Sequence, residues 1–114
     1  MTGGGYICSD ITMLRHIVMF SCKDIESRDD IRNGLSILTQ IPHAQKLEVA
    51  FNEKVDQLGN DIEVIVYGEF ADVEALRAYK AHPLYQESID RVRPIRDMRV
   101  AADYTVESAA TTAL

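Results

Sequence analysis

Read as a strand, Leu14-Arg15-His16-Ile17-Val18-Met19-Phe20 is apolar on both of its faces, and this constrains the fold more than any other feature of the chain. Leu14, Val18 and Phe20, with His16 among them, fall on one side, and Ile17 and Met19 fall on the other. A second run, Ile62 to Phe70, repeats the pattern with Ile62, Val64 and Val66 against Ile65 and Tyr67. Two strands of this kind need cover above and below. A chain of 114 residues has room for one core and one layer of helices.

The remaining elements follow from periodicity. Arg28 to Gln40 carries Ile31, Leu35 and Leu38 on one helical stripe, behind Ser27 as N-cap and with Asp29 and Asp30 favourably placed against the helix dipole. Gly34 weakens that helix by about 1 kcal/mol relative to Ala, and Pro42 stops it. Lys46 to Asn52 alternates as a strand, with Leu47, Val49 and Phe51 on one face, and Asp56 to Asp61 holds the turn residues Gly59-Asn60. Asp72 caps a helix whose stripe is Val73, Leu76 and Tyr79. His82-Pro83 breaks it, Leu84 to Val92 forms a further short helix, and Met98 to Thr105 is a last strand. The order βαββαβ is that of the ferredoxin-like α+β fold, with a four-stranded antiparallel sheet. Its helices cover one face only. A second copy of the same sheet is the simplest cover for the other face, so the expectation is a homodimer joined through Ile17, Met19, Ile65 and Tyr67.

The domain is expected to run from residue 13 to 106. Residues 1–12, with Gly3-Gly4-Gly5, read as an N-terminal extension with Met13 as an alternative start, and residues 107–114 read as a small, polar tail. Composition narrows the function classes. A net charge of −6 argues against nucleic acid as a partner. No apolar run reaches the roughly 20 residues of a membrane helix, which excludes a spanning segment of that type. The opening residues have neither the basic nor the apolar region of a secretory signal. Cys8 and Cys22 fit no metal or redox spacing, and the expected location is cytoplasmic.

Three stretches together resemble the stress-response α/β-barrel domain family, within the dimeric α+β barrel superfamily. They are Arg15-His16-Ile17-Val18-Met19-Phe20, then Phe70-Ala71-Asp72-Val73-Glu74-Ala75-Leu76 with Tyr79-Lys80-Ala81-His82-Pro83, and finally Asp103-Tyr104. The likeness covers about Met13 to Thr105, and the Tyr-x-x-His-Pro segment is its most specific part. It implies the ferredoxin-like dimer already reached from the pattern. One plant enzyme of this kind, olivetolic acid cyclase, closes a polyketide ring between sheet and helices. By resemblance its working pair is a tyrosine matching Tyr79 and the second histidine of a His-Pro-x-His motif. In this chain the first of those histidines is His82 and the second is replaced by Tyr85, which removes that general base, because a tyrosine is mostly protonated at neutral pH.

Each candidate residue has a plainer reading beside the functional one. His16 fits the wall of a cavity, where the resemblance places it, and equally a core histidine satisfied by a neighbour. Tyr79 continues a buried stripe, and its hydroxyl could face a pocket or bond a carbonyl. His82 is better explained as capping the helix end than as a ligand contact. Tyr85 could line a pocket or fill it. Arg91, Arg93, Arg96 and Arg99 make a basic stretch in an acidic chain, and pairing with acidic residues across the dimer explains it better than an anionic ligand. Asp24, Glu26, Asp29 and Asp30 read as a solvated first helical turn, and His16, His43 and His82 lack the spacing of a metal site.

The first expectation is therefore a dimeric barrel whose pocket takes a small, largely apolar ligand touched by Val18, Val64, Val66, His82 and Tyr85. His16 would be the base and Tyr79 the donor of any cyclase- or isomerase-like proton transfer next to a carbonyl. No cofactor is implied, since no nucleotide, flavin or haem signature is present. A non-catalytic stress protein, whose role is the dimer itself, and a cofactor-free monooxygenase-like enzyme are the alternatives.

Overall fold

Why these residues form these elements is clearest at the ends of each, in a computed structural model that describes residues 13–59 and 61–112. The expected extension at residues 1–12, with Cys8, and Asn60 of the expected turn lie outside the described residues. Four strands, β1 (Leu14–Cys22), β2 (Lys46–Phe51), β3 (Val64–Phe70) and β4 (Arg96–Thr105), form one sheet in the order β2-β3-β1-β4. All three pairings are antiparallel. Three helices, α1 (Arg28–Ser36), α2 (Val73–Ala81) and α3 (Pro83–Val92), complete the ferredoxin-like α+β fold.

The two-faced strands behave as their patterns require. Leu14, His16, Val18 and Phe20 of β1 and Val64, Val66 and Phe70 of β3 are buried beneath the helices. Ile17, Met19, Ile65 and Tyr67 stay half-buried on the open face. The helix side of the sheet closes over Ile31, Leu35, Leu38, Ile41, Leu76, Tyr79 and Val92. Arg28 and Arg32 both lie over the Phe51 ring, at 4.2 and 5.5 Å from its centroid, and cover the core at the β2 edge.

Local chemistry sets the helix boundaries. The Asp72 carboxylate accepts from the Ala75 amide at 2.8 Å and starts α2. His82 ends α2 and starts α3. Its Nδ1 accepts from the Leu84 amide at 3.1 Å, with Pro83 in the first helical position where its missing N–H costs nothing. His82 thus caps the following helix as an acceptor, where the sequence suggested donation to the carbonyls of the preceding one. Ser27 stands at the start of α1 but makes no side-chain capping bond, and Asp24 instead accepts from the Glu26 amide ahead of a short 3-10 turn. The α-helical hydrogen bonding of α1 ends at Ser36, and Ile37–Gln40 tightens into a 3-10 turn before Pro42. Val73 is 45% exposed, so the α2 stripe reduces to Leu76 and Tyr79.

Gly34 explains itself here. A Cβ at that position would lie 2.9 Å from Val92 Cγ2 and 3.3 Å from Arg91 Cβ. The glycine that weakens α1 as an isolated helix is what lets α1 and α3 approach closely.

β4 departs from regular alternation. Phe20 pairs with Arg99 while Cys22 pairs with Arg96, so β4 holds one residue more than β1 over that stretch, a β-bulge. The buried Ser21 hydroxyl accepts the Met98 amide at 2.8 Å and satisfies a donor that the interrupted ladder would leave open. Arg96 and Arg99, three residues apart, would point to opposite faces of a regular strand. The bulge puts both on the helix side.

Candidate functional site: a cavity between sheet and helices

A cavity of about 300 Å³ lies between the helix side of the sheet and α1 and α3. That is the lower end of the range occupied by small-molecule sites. Val18, Phe20 and Val66 form its floor, Leu35, Leu38 and Val92 its apolar wall, and Tyr79, Tyr85 and Ser88 its polar points. His16 sits at one end, and Arg93, Arg96 and Arg99 line the other, beside the edge strand β4.

His16 is 1% exposed and held by two rings and a carboxylate. Phe70 and Tyr79 meet it edge-on at centroid distances of 6.2 and 6.4 Å, and Phe70 and Tyr79 meet each other at 4.9 Å. Its Nδ1 lies 2.5 Å from Asp103 Oδ1, across the β1–β4 pair in which the two residues stand directly opposite. A carboxylate only accepts, so Nδ1 carries the proton and Nε2 keeps its lone pair. Nε2 has no hydrogen-bond partner among the described residues. Burial lowers the imidazole pKa below its usual value. The Asp103 hydrogen bond and charge oppose this, and the positive charges of Lys80 and Arg99 add to it. His16 is therefore a neutral imidazole with a free lone pair at neutral pH, the state a general base requires.

The sign of that shift gives a stability prediction. The folded protein resists protonation of His16 more than the unfolded chain does. Its contribution is fully present above the unfolded value of about 6.5 and is lost as pH falls below it, at no more than about 1.4 kcal/mol per pH unit for one proton. Chemical denaturation at a fixed protomer concentration between pH 7.5 and pH 5 should show the unaltered protein losing stability more steeply than a His16→Gln chain. Equal slopes would contradict the assignment.

Tyr79 is 1% exposed, and its hydroxyl makes no hydrogen bond among the described residues. Burial and the neighbouring Tyr85, whose ring is 5.3 Å away, push its pKa well up, so it stays a donor throughout the accessible pH range. The Cys22 thiol is likewise raised by burial, which makes it a poor nucleophile.

Of the residues singled out from sequence, His16, Val18, Val66, Tyr79 and Tyr85 meet around the cavity. Val64 and His82 do not line it. Val64 is wholly buried two residues from Val66 on the same strand, and His82 is occupied as the cap of α3. Of the basic stretch, Arg91 pairs within the chain, with Glu87 Oε2 at 2.6 Å. Arg93, Arg96 and Arg99 form no ion pair among the described residues and line the cavity instead. In the sequence Asp103 stands out only within the family likeness and not as a site residue. The signal that would have found it is the pairing of its strand with that of His16. No group of three or more metal-ligating side chains is present among the described residues, and no helix among them is long and apolar enough to cross a membrane.

Comparison with known proteins agrees with this fold. Similar solved structures include a Dabb family protein with a ferredoxin-like fold from Mesorhizobium loti, 24% identical over 82% of this chain and 95% of that one, with a TM-score of 0.68. A dimeric ferredoxin-like protein of unknown function from Thermobifida fusca is 20% identical over 82% of this chain and 91% of its own, with a TM-score of 0.70. A hydroxynitrile lyase from Passiflora edulis is 17% identical over 89% of this chain and 99% of its own, with a TM-score of 0.71. At these identities the likeness is one of fold. A comparison with curated proteins gives no match. The sequence profile of the stress responsive A/B barrel domain matches residues 14–106, from the first residue of β1 to just past the end of β4. The chain belongs to the stress responsive A/B barrel domain (Dabb) family.

Proposed function

We propose that this protein is a homodimer that binds a small, largely apolar molecule in the cavity of each chain and moves a proton on it. In this reading His16 Nε2 takes a proton from carbon or oxygen next to a carbonyl, and Asp103 holds the imidazole in the required tautomer and stabilises the imidazolium that forms. The Tyr79 hydroxyl donates to the oxygen on which negative charge develops. The dimer is formed through Ile17, Met19, Ile65 and Tyr67, joined by Val100, which is 42% exposed in the single chain. Its support is the apolar open face of the sheet and the dimeric state of neighbours sharing the fold.

The observation that carries the cavity reading is empty space. A fold whose interior served only to hold a dimer together would be expected to fill about 300 Å³ with side chains, since voids in cores are costly. Here the space is kept, and an unpartnered imidazole nitrogen and an unpartnered hydroxyl border it.

The test uses N-phenyl-1-naphthylamine, a neutral apolar fluorophore. Its emission should rise and shift to the blue on mixing, with a stoichiometry of one per chain. A Val66→Phe variant, which puts a ring into the cavity, should weaken binding at least tenfold. Absence of binding to the folded protein would overturn the reading, and so would undiminished binding by a folded Val66→Phe variant.

A further inference from the structure

The arginines of this chain fall into two groups. Arg15 donates to the Tyr104 hydroxyl at 3.1 Å, Arg28 and Arg32 lie over Phe51, Arg77 pairs with Glu74 and Arg91 with Glu87. Arg93, Arg96 and Arg99 have neither an acidic nor an aromatic partner among the described residues. Arg96 makes one bond, Nη1 to the Asp97 carbonyl at 3.2 Å. These three are also the arginines that line the cavity. In a chain of net charge −6, the guanidinium groups with neither an acidic nor an aromatic partner among the described residues are gathered at one concave site.

Their placement has a structural cause. Arg96 and Arg99 share a face only because the β4 bulge inserts a residue between them, and the buried Ser21 hydroxyl holds that bulge by accepting the Met98 amide. Arg93 enters from the end of α3. The bulge therefore holds side by side like charges that repel one another.

We propose that the molecule bound in the cavity carries a carboxylate, gripped by Arg96 and Arg99 at the β4 side, while its apolar body runs along Val18, Val66 and Leu35 toward His16. The ligand class is an amphipathic monocarboxylic acid. The inference rests on the cavity being a ligand site, as proposed above, and goes further by naming the charged end of what it takes. Guanidinium groups match a carboxylate through two parallel N–H···O bonds, and such bonds gain strength in a site walled by apolar side chains. Asp103 stands on the same face of β4 as Arg99 but at the His16 end, where it is bonded to that imidazole, so negative charge is favoured at the Arg96 and Arg99 end alone.

The geometry also orders the two ends. With the carboxylate at Arg96 and Arg99, the part of the ligand that reaches His16 and Tyr79 is separated from it by the apolar floor. The reacting carbon would then be remote from the anchoring charge, and the binding energy of the carboxylate would position it.

The test is displacement of N-phenyl-1-naphthylamine at pH 7.5 and low ionic strength by decanoate and by 1-decanol, which share a chain length and differ in the head group. Both are used below the concentration at which they aggregate. Decanoate should bind at least tenfold more tightly than 1-decanol, and the advantage should shrink as salt is raised. In an Arg96→Gln/Arg99→Gln variant the ratio of the two affinities should fall toward one. Arg91→Gln removes the same charge from a residue paired with Glu87 outside the cavity and should keep the ratio. Folding of each variant is checked by circular dichroism. Equal affinities for decanoate and 1-decanol in the unaltered protein would overturn the inference while leaving the apolar cavity intact. A ratio unchanged in the folded double variant would overturn it as well. If the fluorophore itself does not bind, the cavity reading fails first and the carboxylate assignment falls with it.

Discussion

A Met19→Lys chain is expected to sediment as a single protomer under conditions in which the unaltered protein sediments as a dimer. Met19 stands at the centre of the open sheet face, directly opposite Ile65 on one side and Val100 on the other. In a two-fold dimer built on this face the substitution appears twice, so two like charges enter one apolar interface. An unpaired charge removed from water costs several kcal/mol, and two such charges should raise the dissociation constant by more than about a thousandfold. Arg77→Glu changes a charge on the outer side of α2, where Arg77 pairs with Glu74, and should leave the dimer whole. A Met19→Lys protein that remains dimeric would show that the chains associate through another surface.

The second large effect separates two roles of Tyr79. Tyr79→Ala removes a fully buried ring that packs on Phe70, His16 and Tyr85, and should cost about 3–5 kcal/mol in a denaturation experiment at fixed protomer concentration. Tyr79→Phe keeps the ring and removes only the hydroxyl. That hydroxyl has no protein partner among the described residues, so its loss should change stability by no more than about 0.5 kcal/mol. If Tyr79→Phe instead costs 1–3 kcal/mol, the hydroxyl is satisfied within the fold and is not a donor kept for a ligand.

What could be read in the sequence followed from periodicity, and what could not depended on distance and register. The two-faced apolar patterns of β1 and β3 carry the fold class and the need for a second cover, because strand alternation assigns each side chain to a face without knowledge of the rest of the molecule. His16, Val18, Val66, Tyr79 and Tyr85, which line the cavity, could be grouped from the sequence because they lie on the inward faces of regular elements. Val64 and Val66 share a face, and only the position of the helices above the sheet separates a core residue from a cavity residue. The partnership of His16 with Asp103 spans 87 positions and becomes visible only once β1 and β4 are placed side by side in register. The common place of the arginines was illegible for a sharper reason. In a regular strand Arg96 and Arg99 point apart, so the sequence does not show that they share a face. The bulge that turns them to one face is held by the hydroxyl of Ser21, on a different strand.

His82 shows the opposite limit. Its place before Pro83 marks a helix boundary correctly, yet a boundary between two abutting helices serves both, and the imidazole works as an acceptor for α3. The same Tyr-x-x-His-Pro segment that carries the family likeness therefore contributes its tyrosine to the cavity and its histidine to the scaffold.

The most direct test of the central claim, that the cavity beside His16 is the ligand site, is an NMR measurement of contacts between bound N-phenyl-1-naphthylamine and the protein. Nuclear Overhauser effects from the fluorophore to the His16 ring, the Val18 and Val66 methyls and the Tyr85 ring are the predicted result. Contacts confined to Ile17, Met19, Ile65 and Val100 would place the probe on the open sheet face and contradict it.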